Sequence, residues 1–539
     1  MLLLHLDLPW QSSPERDGGD GGDGVERDEE SKESEVLTPG LVKIVVIAGL
    51  GGDGYDTGVT SGALVVIGSA LGGVPLTLTQ ESFLVTSALF GALAGSIVAG
   101  KLADWRGRKP VIVSAAALFA VGALEQGCAM VYKEIILGRI LVGIGVGLAS
   151  MILPVYLAEI SPPAFRGRIV ASLVVLITFG QVLAYLVDAI FFSLAQGWRW
   201  MFGLGAVPAV AQLVLSFSMP ESPRYQIQQG RVAPARRTLQ LLNPKLSGQE
   251  VQKKVEEIQA EVGEQHSATP DRALKEVVVA LLWRDKANRR ALLVATGLQA
   301  IQQCTGFNTL MYYSAKILLQ AHLPHPASFA LFVAMSNFLS TLVALRLIDK
   351  LGRRALLLRT LLGMVVGMGL LAVAFLFMPA PSSPDPHAAG PSAAAFVAIF
   401  AMVVFCCSYA LGVGNAAWVV QSEVFHQDIR ALGNGIATAV CWSCNLLVSS
   451  TFLYISKALT PGGAFALYAV IAALGWVFTF AFVPETKNLT LDEVRAVFER
   501  EVGVDADSRS SRGEGRSGRG QYRALEGDEG DDDGEGRHV

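Results

Sequence analysis

The sequence predicts an all-α membrane protein whose twelve transmembrane helices form two six-helix halves. The first observation is an uneven distribution of charge. Of the 43 basic and 47 acidic residues, 52 lie in residues 1–40, 220–290 and 503–539. The stretches between them, 41–219 and 291–502, hold too few charges to form a water-exposed surface, so we expect lipid to solvate both. A net charge of −4 without a basic stripe excludes a nucleic-acid-binding protein.

Each charge-poor stretch divides into six apolar segments. A helix needs about 20 such residues to cross a bilayer, at about 1.5 Å per residue. Many glycines lie inside these segments, and small residues allow membrane helices to approach closely. The predicted spans are 41–67, 83–103, 110–131, 135–157, 168–190 and 198–219, then 291–319, 327–348, 355–378, 394–420, 431–455 and 463–483.

The short loops predict the orientation, because lysine and arginine concentrate on the cytoplasmic side of membrane proteins. One face carries most of these residues, and an even number of spans places both termini on that same face. The cytoplasmic set is Lys101, Arg106, Arg108, Lys109, Arg166, Arg168, Lys350, Arg353, Arg354, Arg359 and Arg430, against Lys133, Arg199 and Lys457 outside.

Five segments follow from the spans and the charge. The two terminal segments are too polar and too charged to bury an apolar core. The predicted segments are a disordered acidic cytoplasmic tail (1–40), the first six-helix unit (41–219), a cytoplasmic connection with short helices (220–290), the second six-helix unit (291–483) and a largely disordered cytoplasmic tail (484–539).

Three charged loop motifs occur once in each half, in the same order, and two of the three pairs are offset by 264 residues. This repetition on one side of the membrane indicates a duplicated six-helix unit. The pairs are 100–109 with 349–354, Glu159 and Arg166 with Glu423 and Arg430, and 220–224 with 484–487.

A charge within a span is costly and therefore indicates function. Asp56 and Arg139 both fall in the outer half of their spans and form the natural pair. Asp53, Glu125 and Asp188 are the other candidates, and the sequence assigns them no role.

Uncharged hydrogen-bonding groups concentrate in the seventh span. Gln299, Gln302 and Gln303 share one helix face, and Gly306 can break the helix beside them. Amides both donate and accept hydrogen bonds, which suits a substrate with many hydroxyls and no charge. Further candidates are Gln181, Asn308, Tyr312, Tyr313, Asn337, Trp418, Trp442 and Asn445.

These motifs resemble those of the sugar porter family within the major facilitator superfamily, from residue 41 to about residue 500. The resemblance implies the major facilitator fold, two pseudo-symmetric six-helix bundles around a central site that opens alternately to each side. It implies a protonatable acid at Asp56, next to Arg139, that couples proton entry to substrate movement. By the same resemblance, substrate contacts match Gln181, Gln302, Gln303, Asn308, Asn337 and Trp418. From their places in the spans, we expect Gln299, Tyr312, Tyr313, Trp442 and Asn445 to be gate or pocket residues.

The loop motifs can form a cytoplasmic latch, because acids beside arginines at helix ends can pair across the two halves when the cytoplasmic side is shut. We define the latch as Asp104, Arg108, Glu159, Arg166, Asp349, Arg353, Glu423 and Arg430.

The residues from Gly297 to Ser314 resemble fungal myo-inositol transporters, and Val174 replaces a glutamine that hexose and pentose porters usually carry. We therefore expect a proton-coupled myo-inositol importer that acts as a monomer, in the plasma membrane, without a cofactor or metal. A hexose, pentose or other polyol porter, proton-coupled or facilitative, is the alternative. A nutrient sensor that does not transport is a weaker one, and no catalytic constellation suggests an enzyme.

Overall fold

The computed structural model describes residues 39–49, 53–268, 285–378 and 392–500, apart from 69, 72, 74, 163–165, 322, 426, 488 and 490. The predicted tails therefore lie largely outside the described residues. The described helices are α1 (Pro39–Gly49), α2 (Asp53–Ile67), α3 (Leu78–Arg106), α4 (Arg108–Cys128), α5 (Tyr132–Ile160), α6 (Arg166–Phe191), α7 (Gly197–Leu204), α8 (Ala206–Ser216), α9 (Pro223–Gln228), α10 (Val232–Leu242), α11 (Gly248–Ala268), α12 (Lys286–Cys304), α13 (Phe307–Gln320), α14 (Pro326–Leu351), α15 (Arg353–Leu376), α16 (Ala393–Leu411), α17 (Val413–Glu423), α18 (Gln427–Phe482) and α19 (Leu491–Arg500).

Twelve crossings can be followed through these helices. Nine stretches of the described residues are long and apolar enough to cross a membrane. One of them, Leu432–Phe482, holds two crossings, because α18 breaks at Thr460 (φ 64°) immediately before Pro461. The first and seventh crossings are not among the nine, since each consists of two shorter helices, α1 with α2 and α12 with α13. The predicted twelve-helix fold is thereby confirmed.

Two glycines show the duplication in the backbone itself. Gly107 and Gly352 precede the third and ninth spans with φ values of 102° and 85°. A Cβ there would lie 2.3 Å from a carboxylate oxygen of Glu221 and 2.6 Å from one of Glu485. Each carboxylate accepts the first backbone N–H of the helix that follows, at 3.0 and 2.8 Å. A negative charge is favourable at a helix N-terminus, and the two halves use it in the same way.

Helices within a bundle approach closely where glycine faces a backbone. A Cβ on Gly143 would lie 2.0 Å from the carbonyl oxygen of Ala88, and one on Gly147 would lie 2.1 Å from that of Ala92. These glycines allow α5 to lie directly against α3, the small-residue packing typical of membrane helices.

The two bundles meet along three helix pairs: α2 with α13, α3 with α18, and α6 with α14. Between the two bundles in the chain, α9 to α11 pack on one another around a small apolar core of their own. Helix α19 buries Phe498 and lies against α12, where Arg495 pairs with Asp285 at 3.4 Å. The bundle interface positions the candidate site.

Candidate functional site

The seventh span breaks at the cluster of amides. Helix α12 ends at Cys304, Gly306 adopts a left-handed conformation (φ 84°), and α13 begins at Phe307. The amide of Asn308 donates to Gln303 Oε1 at 2.7 Å, and Gln303 Nε2 donates to Gln302 Oε1 at 3.2 Å. The three amides thus form one chain of hydrogen bonds.

This chain continues into the tenth span, which is also broken. Gln302 Nε2 donates to the carbonyl oxygen of Gly414 at 2.9 Å, next to the interruption at Gly412 between α16 and α17. Gly414 lies in the first turn of α17, so Gln302 binds the start of this helix and adds a donor beside the break. The two breaks therefore lie side by side.

Gln299 has a different environment from its two neighbours. Its side chain is fully buried, and its Nε2 donates to Gln421 Oε1 at 2.6 Å. Gln421 in turn donates to Thr438 of the eleventh span at 3.3 Å. Gln299 ties three helices together, which is the structural use of an amide in a membrane protein.

Two more predicted amides meet between the bundles. Asn337 Nδ2 of α14 donates to Gln181 Oε1 of α6 at 3.1 Å, and both side chains are buried. Next to them, the rings of Phe179 and Phe338 lie 5.7 Å apart. The eighth and fifth spans are therefore joined by one polar and one aromatic contact.

The remaining predicted pocket residues differ in exposure. Trp418 of α17 is 41% exposed, whereas Asn445 is buried and accepts a hydrogen bond from Ser449 at 3.1 Å. Trp442 packs against apolar residues of the first bundle. Tyr312 and Tyr313 are both buried in α13.

Asp56 and Arg139 form a buried ion pair, as their depths in the sequence predict. Arg139 Nη1 donates to Asp56 Oδ1, and Arg139 Nε donates to the carbonyl oxygen of Leu84 at 3.1 Å. The arginine is 0% exposed and the aspartate 9%. The pair joins α2 to α5 and α3 within the first bundle.

The bundles are closed against each other at their outer ends. Ser61 Oγ lies 2.9 Å from Ser314 Oγ and accepts the backbone N–H of Ala315 at 2.9 Å. The hydroxyl of Tyr185 donates to the carbonyl oxygen of Met311 at 2.6 Å. Farther along the interface, Lys316 forms an ion pair with Glu81. Three further polar contacts lie at the same end: Ser314 to Tyr185, Ser82 to Ser450 and Tyr454 to Thr79.

The latch residues whose side chains the structure describes pair within their own bundle, at the end that the sequence predicts to be cytoplasmic. Arg108 contacts Glu159 at 3.1 Å, and Arg353 contacts Glu423 at 3.0 Å. Asp104 lies 3.6 Å from Arg108 but is 77% exposed, so this contact contributes little. Among the described residues, the hydrogen bonds between the bundles lie at the outer end or in the middle of the interface. The latch was predicted to pair across the two halves only when the cytoplasmic side is shut. That pairing therefore stays a prediction.

Some predicted residues lie outside the described side chains, and one pair was missed. The side chains of Asp53, Arg166, Asp349 and Arg430 are not described. Lys316 was not singled out, although it lies within the predicted seventh span and the rule that identified Asp56 applies to it equally.

Comparisons with known proteins cover most of the chain. The family model described as "Sugar (and other) transporter" matches residues 42–498. Myo-inositol transporter 1 of Cryptococcus neoformans is 39% identical over 86% of this chain and 82% of that protein. The proton myo-inositol cotransporter of Homo sapiens is 33% identical over 88% of this chain and 85% of that protein.

Solved structures of a bacterial transporter share the fold. The partially occluded inward-open conformation of the xylose transporter XylE from E. coli superposes with a TM-score of 0.69, at 28% identity, over 84% of this chain and 100% of that one. Its inward-open conformation gives a TM-score of 0.68 over 85% of this chain and 99% of that one. Contacts that close the outer end here agree with these inward-facing states.

Proposed function

The chain belongs to the sugar (and other) transporter family and is a multi-pass membrane transporter rather than an enzyme; from this premise we propose that it imports myo-inositol together with protons. The observation that carries the proposal is its similarity, over 86% of its length, to a myo-inositol transporter. That similarity spans the seventh-span amides, which are uncharged groups able to donate to and accept from a ring of hydroxyls.

We propose that the substrate contacts Gln181, Gln302, Gln303, Asn308 and Asn337, with Trp418 as an exposed aromatic surface. The chain of amides from Asn308 to Gln302 offers paired donors and acceptors at two helix breaks. Gln181 and Asn337 bond each other across the bundle interface, so a substrate that takes over these bonds would link the two bundles. Gln299 holds helices together in this proposal. Tyr312, Tyr313, Trp442 and Asn445 surround the site as gate or pocket residues.

Asp56 and Arg139 are the proposed coupling pair. While Asp56 is ionised, the buried pair is neutral overall and stable. Protonation of Asp56 would remove the negative charge that holds Arg139, which then has only uncharged acceptors, the carbonyl oxygen of Leu84 and the neutral carboxyl. Breaking a buried pair costs about 3–5 kcal/mol, enough to change which state of the transporter is favoured.

The latch belongs to the opposite end of the transport cycle. In this structure Arg108 and Arg353 each hold an acid of their own bundle. We propose that the same eight residues bring the cytoplasmic ends together when the outer end opens. Because one end closes as the other opens, the substrate site would face one side of the membrane at a time.

The membrane and the assembly state are also proposals. Both termini face the cytoplasm by the distribution of lysine and arginine, and the plasma membrane suits an importer. The tails and the cytoplasmic connection form no part of the proposed site. Each chain carries a complete set of amides and a complete coupling pair, so a monomer suffices for transport, and the proton gradient serves in place of a cofactor.

A proton-coupled pentose porter is the second candidate, since the fold matches a xylose transporter at a TM-score of 0.69. The sequence disfavours it at one position. Val174 stands where hexose and pentose porters usually carry a glutamine, which removes one hydrogen-bonding side chain.

Uptake of labelled myo-inositol into proteoliposomes, with an acidic outside and with or without an uncoupler, tests the proposal. We expect concentrative uptake that the uncoupler abolishes, and poor competition by xylose and glucose. Uptake insensitive to the uncoupler would contradict symport. Uptake of xylose or glucose without myo-inositol would contradict the substrate and favour the second candidate.

A further inference from the structure

Asp188 is a buried acid for which the proposed transport mechanism has no use. It lies near the outer end of α6 and is 1% exposed. Its Oδ2 accepts the backbone N–H of Gly62 at 2.8 Å, and its Oδ1 has no hydrogen-bond partner among the described residues. An ionised carboxylate in such a place is costly unless a cation faces it.

On the helices around α6, the described cations that are at least partly buried toward the outer end have other partners. Arg139 pairs with Asp56, and Lys316 pairs with Glu81. Arg199, which follows α6 in the chain, donates to the carbonyl oxygen of Ala129 at 2.6 Å. Helix α14, which also packs on α6, carries its charged residues only at its cytoplasmic end.

Among the described residues, two phenols lie close enough to interact with the charge of Asp188, Tyr55 of α2 and Tyr185 of α6 itself. Neither can supply a positive charge. Without a cation, the neutral acid is the form that this closed structure accommodates, because a protonated carboxyl loses much less on transfer out of water than a carboxylate does.

The position of Asp188 connects it to the outer closure of the bundles. Tyr185 lies three residues before it, on the same face of α6, and its hydroxyl donates a hydrogen bond to Met311 of the second bundle. Asp188 binds Gly62, and the neighbouring Ser61 forms a hydrogen bond with Ser314 of the second bundle. A Cβ on Gly62 would lie 2.3 Å from Asp188 Cγ, so the acid is in direct contact with α2.

Opening the outer end requires these bonds to break, and water would then reach the carboxyl. We propose that Asp188 is a second proton-binding site: it takes a proton from the outside solution when the bundles close at their outer end and returns it there when they open. The carboxylate gains one proton from hydronium on closing and transfers it to water on opening. The inference rests on the proposed alternating-access cycle but not on the identity of the substrate.

The direction of the pH effect follows from linkage. The closed state holds the proton more tightly than the open state, in which the carboxylate is hydrated. Closure is therefore favoured at low pH and is lost as the pH rises through the value at which the closed state gives up its proton. Asp188 thus makes the outer closure respond to the external pH, separately from the coupling pair.

Hydrogen–deuterium exchange of the purified full-length protein without substrate tests this directly. The peptides to follow are the outer part of α2 and all of α13, from about pH 5 to about pH 9, corrected for the intrinsic exchange rate. In the wild type we expect exchange in both peptides to rise with pH. Asp188→Asn keeps an acceptor for the Gly62 N–H but cannot ionise, so its exchange should stay lower than that of the wild type at high pH and rise less with pH, with only the response of the coupling pair left. An Asp188→Asn variant with the wild-type pH response would overturn the proposal, as would a flat wild-type response.

Tyr185→Phe provides a second measurement if Asp188→Asn folds poorly. It removes the hydroxyl that donates to Met311 and accepts from Ser314 but leaves the acid in place. A weaker closed state should move the midpoint of opening to lower pH by about 0.4–1 unit, the equivalent of one hydrogen bond. An unchanged midpoint would refute the link between closure and proton binding.

The proposed function can fail separately. If myo-inositol is not taken up while the exchange still depends on pH through Asp188, the substrate assignment is wrong and the proton site stands. If uptake is concentrative and Asp188→Asn exchanges like the wild type, the proton site is wrong and the proposed function stands.

Discussion

Replacing Asp56 by asparagine removes the negative charge from the buried pair and preserves its shape. Arg139 then keeps its position, with the carbonyl oxygen of Leu84 at 3.1 Å and the amide oxygen of the new side chain as acceptors. The cation, however, is 0% exposed and no longer has a counter-charge. The variant therefore separates the charge of the pair from its packing.

The expected cost follows from this burial. Leaving a buried cation without its partner costs about 3–5 kcal/mol. The amide oxygen still accepts a hydrogen bond worth about 1 kcal/mol, so we expect the folded state to lose about 2–4 kcal/mol. Adding Arg139→Gln removes the second charge and should restore a large part of that loss, since neither ion is then buried alone.

Two assays check the stability and the coupling separately. The melting temperature in detergent should fall for Asp56→Asn and recover in the double variant. In proteoliposomes, one coupled proton can concentrate the substrate at most about tenfold per unit of pH difference, and we expect the variant to equilibrate the substrate without concentrating it.

Glu257→Gln is the matched control, because it makes the same chemical change on the exposed surface of the cytoplasmic connection. It should concentrate the substrate like the wild type. Full concentrative uptake by Asp56→Asn would refute the reasoning and remove Asp56 from the coupling.

Three further substitutions test other parts of the structure. Lys316→Glu places two carboxylates together at the outer closure. Uptake should fall by about fivefold, which corresponds to the free energy of a partly exposed ion pair, and the added Glu81→Lys should restore it. A double variant with no more uptake than the single one would contradict this. Gln303→Leu removes the central amide of the chain and should raise the KM for myo-inositol at least tenfold, since buried partners are left unpaired; an unchanged KM in concentration-dependent uptake would exclude a binding role. Gly352→Ala should destabilise the fold by about 1–3 kcal/mol in thermal unfolding, because Gly352 has a φ of 85° and its Cβ would meet a carboxylate. Gly369→Ala is the control, since a Cβ there would meet nothing within 4 Å. Equal melting temperatures of the two variants would disprove the strain.

The spans were predictable because lipid imposes a simple requirement on sequence. A helix that crosses the bilayer must be apolar over its whole length, so α3 and α15 stand out without any tertiary information. The repeated loop motifs were equally visible. The sequence did not show the function of Glu221 and Glu485, because each binds the start of a helix more than a hundred residues away in the chain.

The sequence indicated the amides of the seventh span but could not separate their functions. Gln299, Gln302 and Gln303 share one helix face, yet Gln299 is used for packing against Gln421. That difference depends on the rotation of the neighbouring tenth span. Helix breaks at Gly306 and Gly412 lie together only once the bundle is assembled.

By itself the sequence determined the number of crossings and the short set of charges within the membrane, because the cost of placing charge in lipid leaves few such residues to consider. The depth of the residues in their spans predicted that Asp56 pairs with Arg139, but only the tertiary structure decided the surroundings of Asp188. Asp56 pairs with Arg139, whereas Asp188 accepts only a backbone N–H among the described residues, although both lie in apolar spans. The physical reason is that the partner of a buried charge depends on both the depth and the rotation of packed helices. The position of a residue in its span indicates the depth, whereas the rotation depends on the neighbouring helices.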